Sequence, residues 1–165
     1  MKTDRAAFRA GRREQLMTPV REDSYREQAK FHWPAVCPEC GATYRKGRWT
    51  WEPPVADAKP HRCPACLRIR DGMPAGYVTL KGAFLDAHRE QILSMVHACE
   101  TREKAEHPLQ RIMAITEVEG GVQVTTTDGH LARGIGEALR DAFKGSLEVQ
   151  FAEAENLVRA VWQRE

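Results

Sequence analysis

Apolar residues recur at helical spacing in two stretches of the second half of the chain. From Ala83 to about Glu106 they return every three or four positions, which predicts a helix that ends before Pro108. A second stretch covers about residues 130–144, and Asp128 is placed to cap its first turn. We therefore predict two amphipathic helices.

Around these helices the pattern changes to the alternation of apolar and polar residues that is typical of strands. The segments "RIMAITEVE" and "VQVTTTD" flank Gly120–Gly121, which predicts a β-hairpin. "SLEVQF" at 146–151 and "LVRAVW" at 157–162 predict two more strands. The predicted fold class is α+β, with residues 82–165 forming, most simply, an antiparallel sheet with two helices.

Residues 33–81 predict a smaller unit, in which short apolar runs are broken by turns and prolines. "ATYRKGRWTW" predicts two short strands that turn at Lys46–Gly47, "EPPVADAKPHR" a loop, and "GYVTL" at 76–80 a further strand. Residues 1–32 carry few large apolar residues and predict a basic N-terminal arm, partly helical over 24–31.

The small unit also holds four of the five cysteines, as the pairs Cys37-x-x-Cys40 and Cys63-x-x-Cys66 with 22 residues between them. Two residues between thiolates allow a tight turn to aim both sulfurs at one ion, and four thiolates complete a tetrahedral Zn²⁺ shell. We therefore predict a four-cysteine zinc ribbon over 33–81. An iron–sulfur site and a thioredoxin-like redox role remain alternatives for these four cysteines. The fifth cysteine, Cys99, is predicted to be a thiol packed on the apolar face of the first helix.

Charge divides the chain into a basic and an acidic part. Residues 1–70 contain 15 Lys and Arg against 8 acids, and residues 71–165 contain 10 against 15, within a net charge of +2. A basic part of this kind favours a polyanionic partner. The residues expected to contact RNA lie in the arm and around the cysteine pairs: Arg12, Arg13, Arg45, Lys46, Arg48, Trp49, Trp51, Arg62, Arg68 and Arg70.

The two tryptophans have two interpretations. On an exposed ribbon, Trp49 and Trp51 stack unpaired bases, whereas in a unit this small they form its core.

No sequence motif of a metalloprotease, a nucleotide-binding loop or a nucleophile elbow is present, so we expect a non-enzymatic protein without a small-molecule substrate. No uncharged stretch exceeds nine residues, and we expect a cytoplasmic protein with no membrane association.

Four blocks carry a resemblance to known proteins: "CPECGATYRKGRW", "CPACLRIRDGMPAGYVTL", "EKAEHPLQRIM" and "TTTDGHLARGIGEAL". Together they resemble an uncharacterised family of bacterial zinc-ribbon proteins across most of residues 33–162. More distantly, a four-cysteine ribbon before an α/β domain is similar to the amino-terminal part of the Nmd3-type adaptors of the large ribosomal subunit. The resemblance implies zinc at the four ribbon cysteines and a ribosomal or other structured RNA as partner, with ribosomal proteins nearby.

These observations predict a zinc-stabilised RNA-binding protein that associates with the ribosome. Two alternatives remain open at this level. One is a zinc-ribbon adaptor between proteins in transcription or stress regulation, whose acidic second half binds a basic partner. The other is a redox or metal-sensing switch.

Overall fold

The computed structural model describes Tyr25 and residues 33–165. The predicted arm, with its helix over 24–31 and with Arg12 and Arg13, therefore lies outside the described residues except for Tyr25. Within the described part of the chain, none of the helices combines the length and the apolar character needed to cross a bilayer.

A small four-stranded sheet comes first along the chain. Its strands are β1 (Ala35–Val36), β2 (Thr43–Arg45), β3 (Arg48–Thr50) and β4 (Lys59–Pro60), in the order β3-β2-β1-β4. β2 and β3 form the predicted hairpin, and both turn residues, Lys46 and Gly47, adopt positive φ angles of 54° and 83°. Helix α1 (Pro64–Asp71), which the sequence pattern did not predict, follows this sheet.

Residues 76–165 form a larger unit of five strands, three α-helices and one short 3-10 helix. Its elements are β5 (Gly76–Lys81), α2 (Ala83–Ala87), α3 (Arg89–Glu106), β6 (Ile112–Val118), β7 (Gly121–Thr126), α4 (Gly129–Phe143), β8 (Ser146–Ala152), a short 3-10 helix (Glu153–Glu155) and β9 (Leu157–Gln163). The fold class α+β is confirmed. β5, predicted as part of the cysteine-bearing unit, instead occupies the centre of this larger sheet.

The five-stranded sheet is mixed, which corrects the prediction of an antiparallel sheet. Its order is β6-β7-β5-β9-β8, and β5 pairs antiparallel with β7 but parallel with β9. β8 lies at the edge of the sheet and runs antiparallel to β9. β9 lies between β8 and β5, and it therefore runs in the same direction as β5. β9 takes the inner place because it carries the buried residues Leu157, Ala160 and Trp162, whereas β8 is mostly exposed.

The helices also differ in number from the prediction. Residues 33–165 form four α-helices instead of two. One of the additional helices is α1, and the other arises because the predicted helix from Ala83 to Glu106 is interrupted at His88, whose backbone (φ −128°, ψ 29°) leaves the helical region. The imidazole of His88 packs on the ring of Phe84 at 4.2 Å between centroids. The cap predicted at Asp128 is confirmed, since its carboxylate accepts hydrogen bonds from the backbone N–H groups of His130 and Leu131.

In residues 33–165, the buried apolar side chains form two separate groups. The larger lies between the five-stranded sheet and helices α2, α3 and α4, and it includes Cys99 as the apolar pattern predicted. The smaller surrounds the ribbon cysteines and contains Tyr44 and Trp49. Leu109, from the loop before β6, packs against the smaller group and so connects the two units.

Candidate metal centre

Each cysteine pair lies in a turn that directs both thiols inward. Cys37 follows β1, and its knuckle closes through hydrogen bonds from Cys37 N to Ala42 O (2.8 Å) and from Gly41 N to Cys37 O (3.0 Å). Gly41 adopts φ 80°, which a residue with a side chain disfavours. The local sequence thus folds the first pair into a turn with its sulfurs on one side.

The second pair begins helix α1. Cys63 is the N-cap, and its sulfur accepts a hydrogen bond from the backbone N–H of Cys66 at 3.4 Å. Pro64 occupies the first helical position, where its missing N–H costs nothing. The helix therefore fixes the separation of Cys63 and Cys66 within one turn.

The four sulfurs meet in one cluster. The Sγ atoms of Cys37, Cys40, Cys63 and Cys66 all lie within 4.8 Å of one another, and those of Cys40 and Cys63 are 3.7 Å apart. A tetrahedral ion with metal–sulfur bonds of about 2.3 Å places its ligands roughly 3.8 Å apart, so the cluster has the size of a single-ion site. Zinc and iron both accept this ligand set. Four protein ligands complete the shell and exclude a substrate or water from the metal.

A fifth residue, Arg111, contacts three of the four thiols. Its guanidinium donates from Nη1 to the Sγ of Cys66 (3.2 Å) and from Nη2 to the Sγ atoms of Cys40 (3.0 Å) and Cys63 (3.4 Å). Arg111 is only 7% exposed. A buried guanidinium requires hydrogen-bond acceptors in place of water, and the three sulfurs accept its hydrogen bonds here.

The larger unit holds Arg111 in this orientation. Its Nε donates to Pro108 O at 2.8 Å, and its backbone N–H donates to Thr127 Oγ1 at 2.9 Å. The ring of Trp51 lies 5.9 Å from the guanidinium carbon, and Trp51 Nε1 donates to Lys104 O at 2.6 Å. Arg111 therefore joins the cysteine cluster to the start of β6.

Electrostatics couple Arg111 and the thiols. The hydrogen bond between Cys40 and Cys63 lowers the pKa of the Cys40 thiol and raises the pKa of the Cys63 thiol. The positive charge of Arg111 acts to lower both values, but at Cys63 it does not outweigh the hydrogen bond. Burial lowers the pKa of Arg111, but the charge of Cys63 and the hydrogen bonds to Cys66 and Cys40 outweigh it and raise that pKa. Burial also raises the pKa of Cys66, so the arrangement favours the thiolate at Cys40 beside the arginine cation, and the thiolate is the form of cysteine that binds metals.

Sequence reasoning did not identify Arg111. It lies 45 residues after Cys66 and follows Pro108 in an ordinary polar loop, so no local spacing relates it to the cysteines. Only the pairing of β6 with β7 and the packing of Leu109 bring it to the cluster.

The residues predicted to contact RNA fall into separate groups. Arg45, Lys46 and Arg48 are exposed together at the tip of the β2–β3 hairpin. Arg62 pairs with Glu39 at 2.7 Å, and Arg70 pairs with Asp71 at 2.8 Å, so both have acidic neighbours.

Two other predicted contacts are buried within the protein. Trp49 is 7% exposed and packs against Tyr44 with ring centroids 5.5 Å apart, as the core interpretation predicted. Arg68 is buried, donates to Met73 O at 2.8 Å and lies over the ring of Tyr25. Burial removes Trp49 and Arg68 from a surface that RNA can reach, whereas Trp51 keeps part of its indole exposed.

No protein-family model, curated protein or solved structure matches this chain.

Proposed function

We propose that the protein is a zinc-stabilised, non-enzymatic RNA-binding protein that associates with the ribosome. Zinc fits four thiolates that leave no open coordination position, and because it has no redox chemistry it suits a purely structural role. The metal stabilises the small sheet that presents the hairpin tip, and it takes no part in a reaction.

The observation that supports RNA binding is the pairing of two arginines at the hairpin tip. Arg45 and Arg48 lie directly opposite each other in the β2–β3 register, and Lys46 occupies the turn between them. Like charges directly opposite in a sheet destabilise it. None of the ion pairs found among the described residues involves these three side chains.

A phosphate backbone relieves this repulsion, because an anionic group between Arg45 and Arg48 converts two like charges into a charge-assisted contact. The partly exposed indole of Trp51 follows β3 and supplies a surface on which an unpaired base stacks. A tip with three cations and a nearby aromatic ring suits structured RNA with accessible phosphates and looped-out bases, as in ribosomal RNA.

The direct test replaces Arg45, Lys46 and Arg48 with alanine in the zinc-loaded protein. We expect weaker binding to ribosomal RNA fragments and a slope of log affinity against log salt that is smaller by about 2, near 0.7 for each phosphate that the protein no longer neutralises. The matched control replaces Arg102, Arg133 and Arg140, three exposed arginines that each have an acidic neighbour. Equal RNA affinity in both variants would contradict the proposal.

Association with the ribosome is tested by sedimentation of the tagged protein through sucrose gradients. We expect migration with ribosomal particles that is abolished at high salt, after ribonuclease digestion and in the triple-alanine variant. Association that survives nuclease treatment would instead favour the protein–protein adaptor.

A further inference from the structure

β8 is an edge strand of the five-stranded sheet. It pairs with β9 on one side over all seven residues from Ser146 to Ala152, and no strand in the described part of the chain pairs with its other side. Free N–H and C=O groups along such an edge can add a further strand.

The opposite edge, β6, carries features that discourage such pairing. Its register with β7 shifts between Ile112 and Ala114, and its exposed Glu117 forms an ion pair with Arg89. Irregular pairing and charges are the devices by which proteins block sheet edges. β8 has a regular register and lacks a positively charged residue.

β8 also exposes apolar side chains beside its free edge. Leu147, Val149 and Phe151 alternate with Glu148 and Gln150, so they share one face of the strand. Phe151 is 57% exposed and Val149 is 39% exposed. Exposed apolar residues on an open strand edge indicate an interaction surface.

The sequence of β8 is complementary to itself in one antiparallel register. When two copies pair with Val149 opposite Val149, Leu147 of each copy faces Phe151 of the other, and Glu148 faces Gln150. An interface between identical copies around a two-fold axis requires this reciprocity. The apolar residues then meet only apolar residues, and the single charge of the strand avoids its own copy.

The residues beside β8 add charge complementarity in the same register. The exposed Lys144 precedes the strand, and the exposed Glu153 and Glu155 follow it. Antiparallel pairing centred on Val149 brings the end of β8 that follows Lys144 in one copy beside the end that precedes Glu153 and Glu155 in the other. Opposite charges therefore meet at both ends of the paired strands.

We propose that the protein forms a homodimer by antiparallel pairing of two β8 edges, which joins two five-stranded sheets into one sheet of ten strands. The occupant of the edge is a second copy of this chain. The dimer carries two hairpin tips, but its formation does not depend on RNA.

The test uses sedimentation equilibrium of the zinc-loaded full chain together with Val149→Lys and Val149→Glu. We expect the unchanged protein to approach twice 18.7 kDa in the micromolar range, and each variant alone to stay near 18.7 kDa. An equimolar mixture of the two variants regains the dimer mass, because the two-fold axis places lysine opposite glutamate.

Far-ultraviolet circular dichroism and thermal melts check that both variants are folded, and Glu117→Lys on the other edge is the matched control that leaves the dimer intact. A monomeric unchanged protein, or variants that dimerise as well as it does, would overturn the proposal. A mixture of folded variants that stays monomeric would overturn the register centred on Val149.

Discussion

Arg111 illustrates how one buried side chain links a metal site to a second structural unit. Its guanidinium contacts the sulfurs of Cys40, Cys63 and Cys66. Its Nε donates to the carbonyl of Pro108, and its backbone N–H donates to the hydroxyl of Thr127. A tetrathiolate site with a divalent ion carries a net charge of about −2, which a buried cation offsets. The contact therefore contributes both to the metal site and to the attachment of the ribbon.

Replacing Arg111 with alanine should destabilise the metal-loaded protein by about 3–5 kcal/mol, because it leaves buried negative charge without its partner. Urea unfolding of the loaded protein measures this change, and a chelator competition measures the accompanying decrease in metal affinity. Arg102→Ala, at an exposed position, should change stability by less than about 0.5 kcal/mol. Indistinguishable unfolding midpoints for the two variants would show that Arg111 is not the partner of the thiolates.

Cys99 should behave differently from the four ribbon cysteines. It is 2% exposed in the larger core, and burial raises its pKa above the ordinary 9.0 of a thiol. At pH 8 its thiolate fraction is therefore lower than that of a free cysteine, and its reaction with a disulfide reagent is slow.

Thiol titration separates the two classes. The metal-loaded protein should show no fast-reacting thiol, a chelator should release four, and the fifth should react only when denaturant opens the core. Rapid modification of Cys99 in the loaded protein would contradict its assignment as a packed apolar residue.

At the scale of the elements, the chain follows its sequence pattern closely where periodicity and caps agree. The strand predicted at 76–80 spans Gly76–Lys81, and the helix predicted at about 130–144 spans Gly129–Phe143 with Asp128 as its cap. These elements were predictable because the spacing of their apolar residues matches burial on one side, and because the start of the helix carries a capping residue, Asp128.

Other elements depend on contacts that no local pattern contains. The alternation in β9 specifies which residues face the core, but it is the same for a parallel and an antiparallel neighbour. The break at His88, where the imidazole packs against Phe84, has no signal in the apolar spacing, and Arg111 reaches the cysteines only through the folded sheet. Metal-ligand spacing was visible in the sequence, whereas the fifth residue at the site was not.

The cap of α4 gives a prediction at this scale. Asp128→Ala removes the acceptor for two backbone N–H groups and should lower the free energy of unfolding by about 0.5–2 kcal/mol. Asp128→Ser should recover most of this stability, since a hydroxyl oxygen also caps. Asp141→Ala, in the exposed last turn of the same helix, is the control and should have a small effect. Chemical denaturation provides the measurement, and equal stability of the Asp128 and Asp141 variants would contradict the capping role.

At the scale of the whole molecule, the two units differ in what stabilises them. The larger unit has its own core, with Leu80, Ile92, Ile135 and Trp162 fully buried between sheet and helices. The smaller unit has short strands and a buried group made largely of cysteines and alanines around two aromatic rings. Units this small usually need a metal or another constraint in addition to apolar burial, so we expect a metal bound by the four cysteines to supply much of the folding free energy of this unit.

Removal of the metal should therefore unfold the ribbon and leave the larger sheet intact. Metal binding to such a site contributes on the order of 10 kcal/mol, and the ribbon has no comparable source of stability. Hydrogen–deuterium exchange with and without chelator should show reduced protection in peptides covering β1–β3 and α1, and retained protection in β5, β7 and β9. Chelator preloaded with zinc is the control. An equal reduction of protection in both units would mean that the Arg111 and Leu109 contacts make them one cooperative unit, and the ribbon could not then be treated as a separately stabilised platform for RNA.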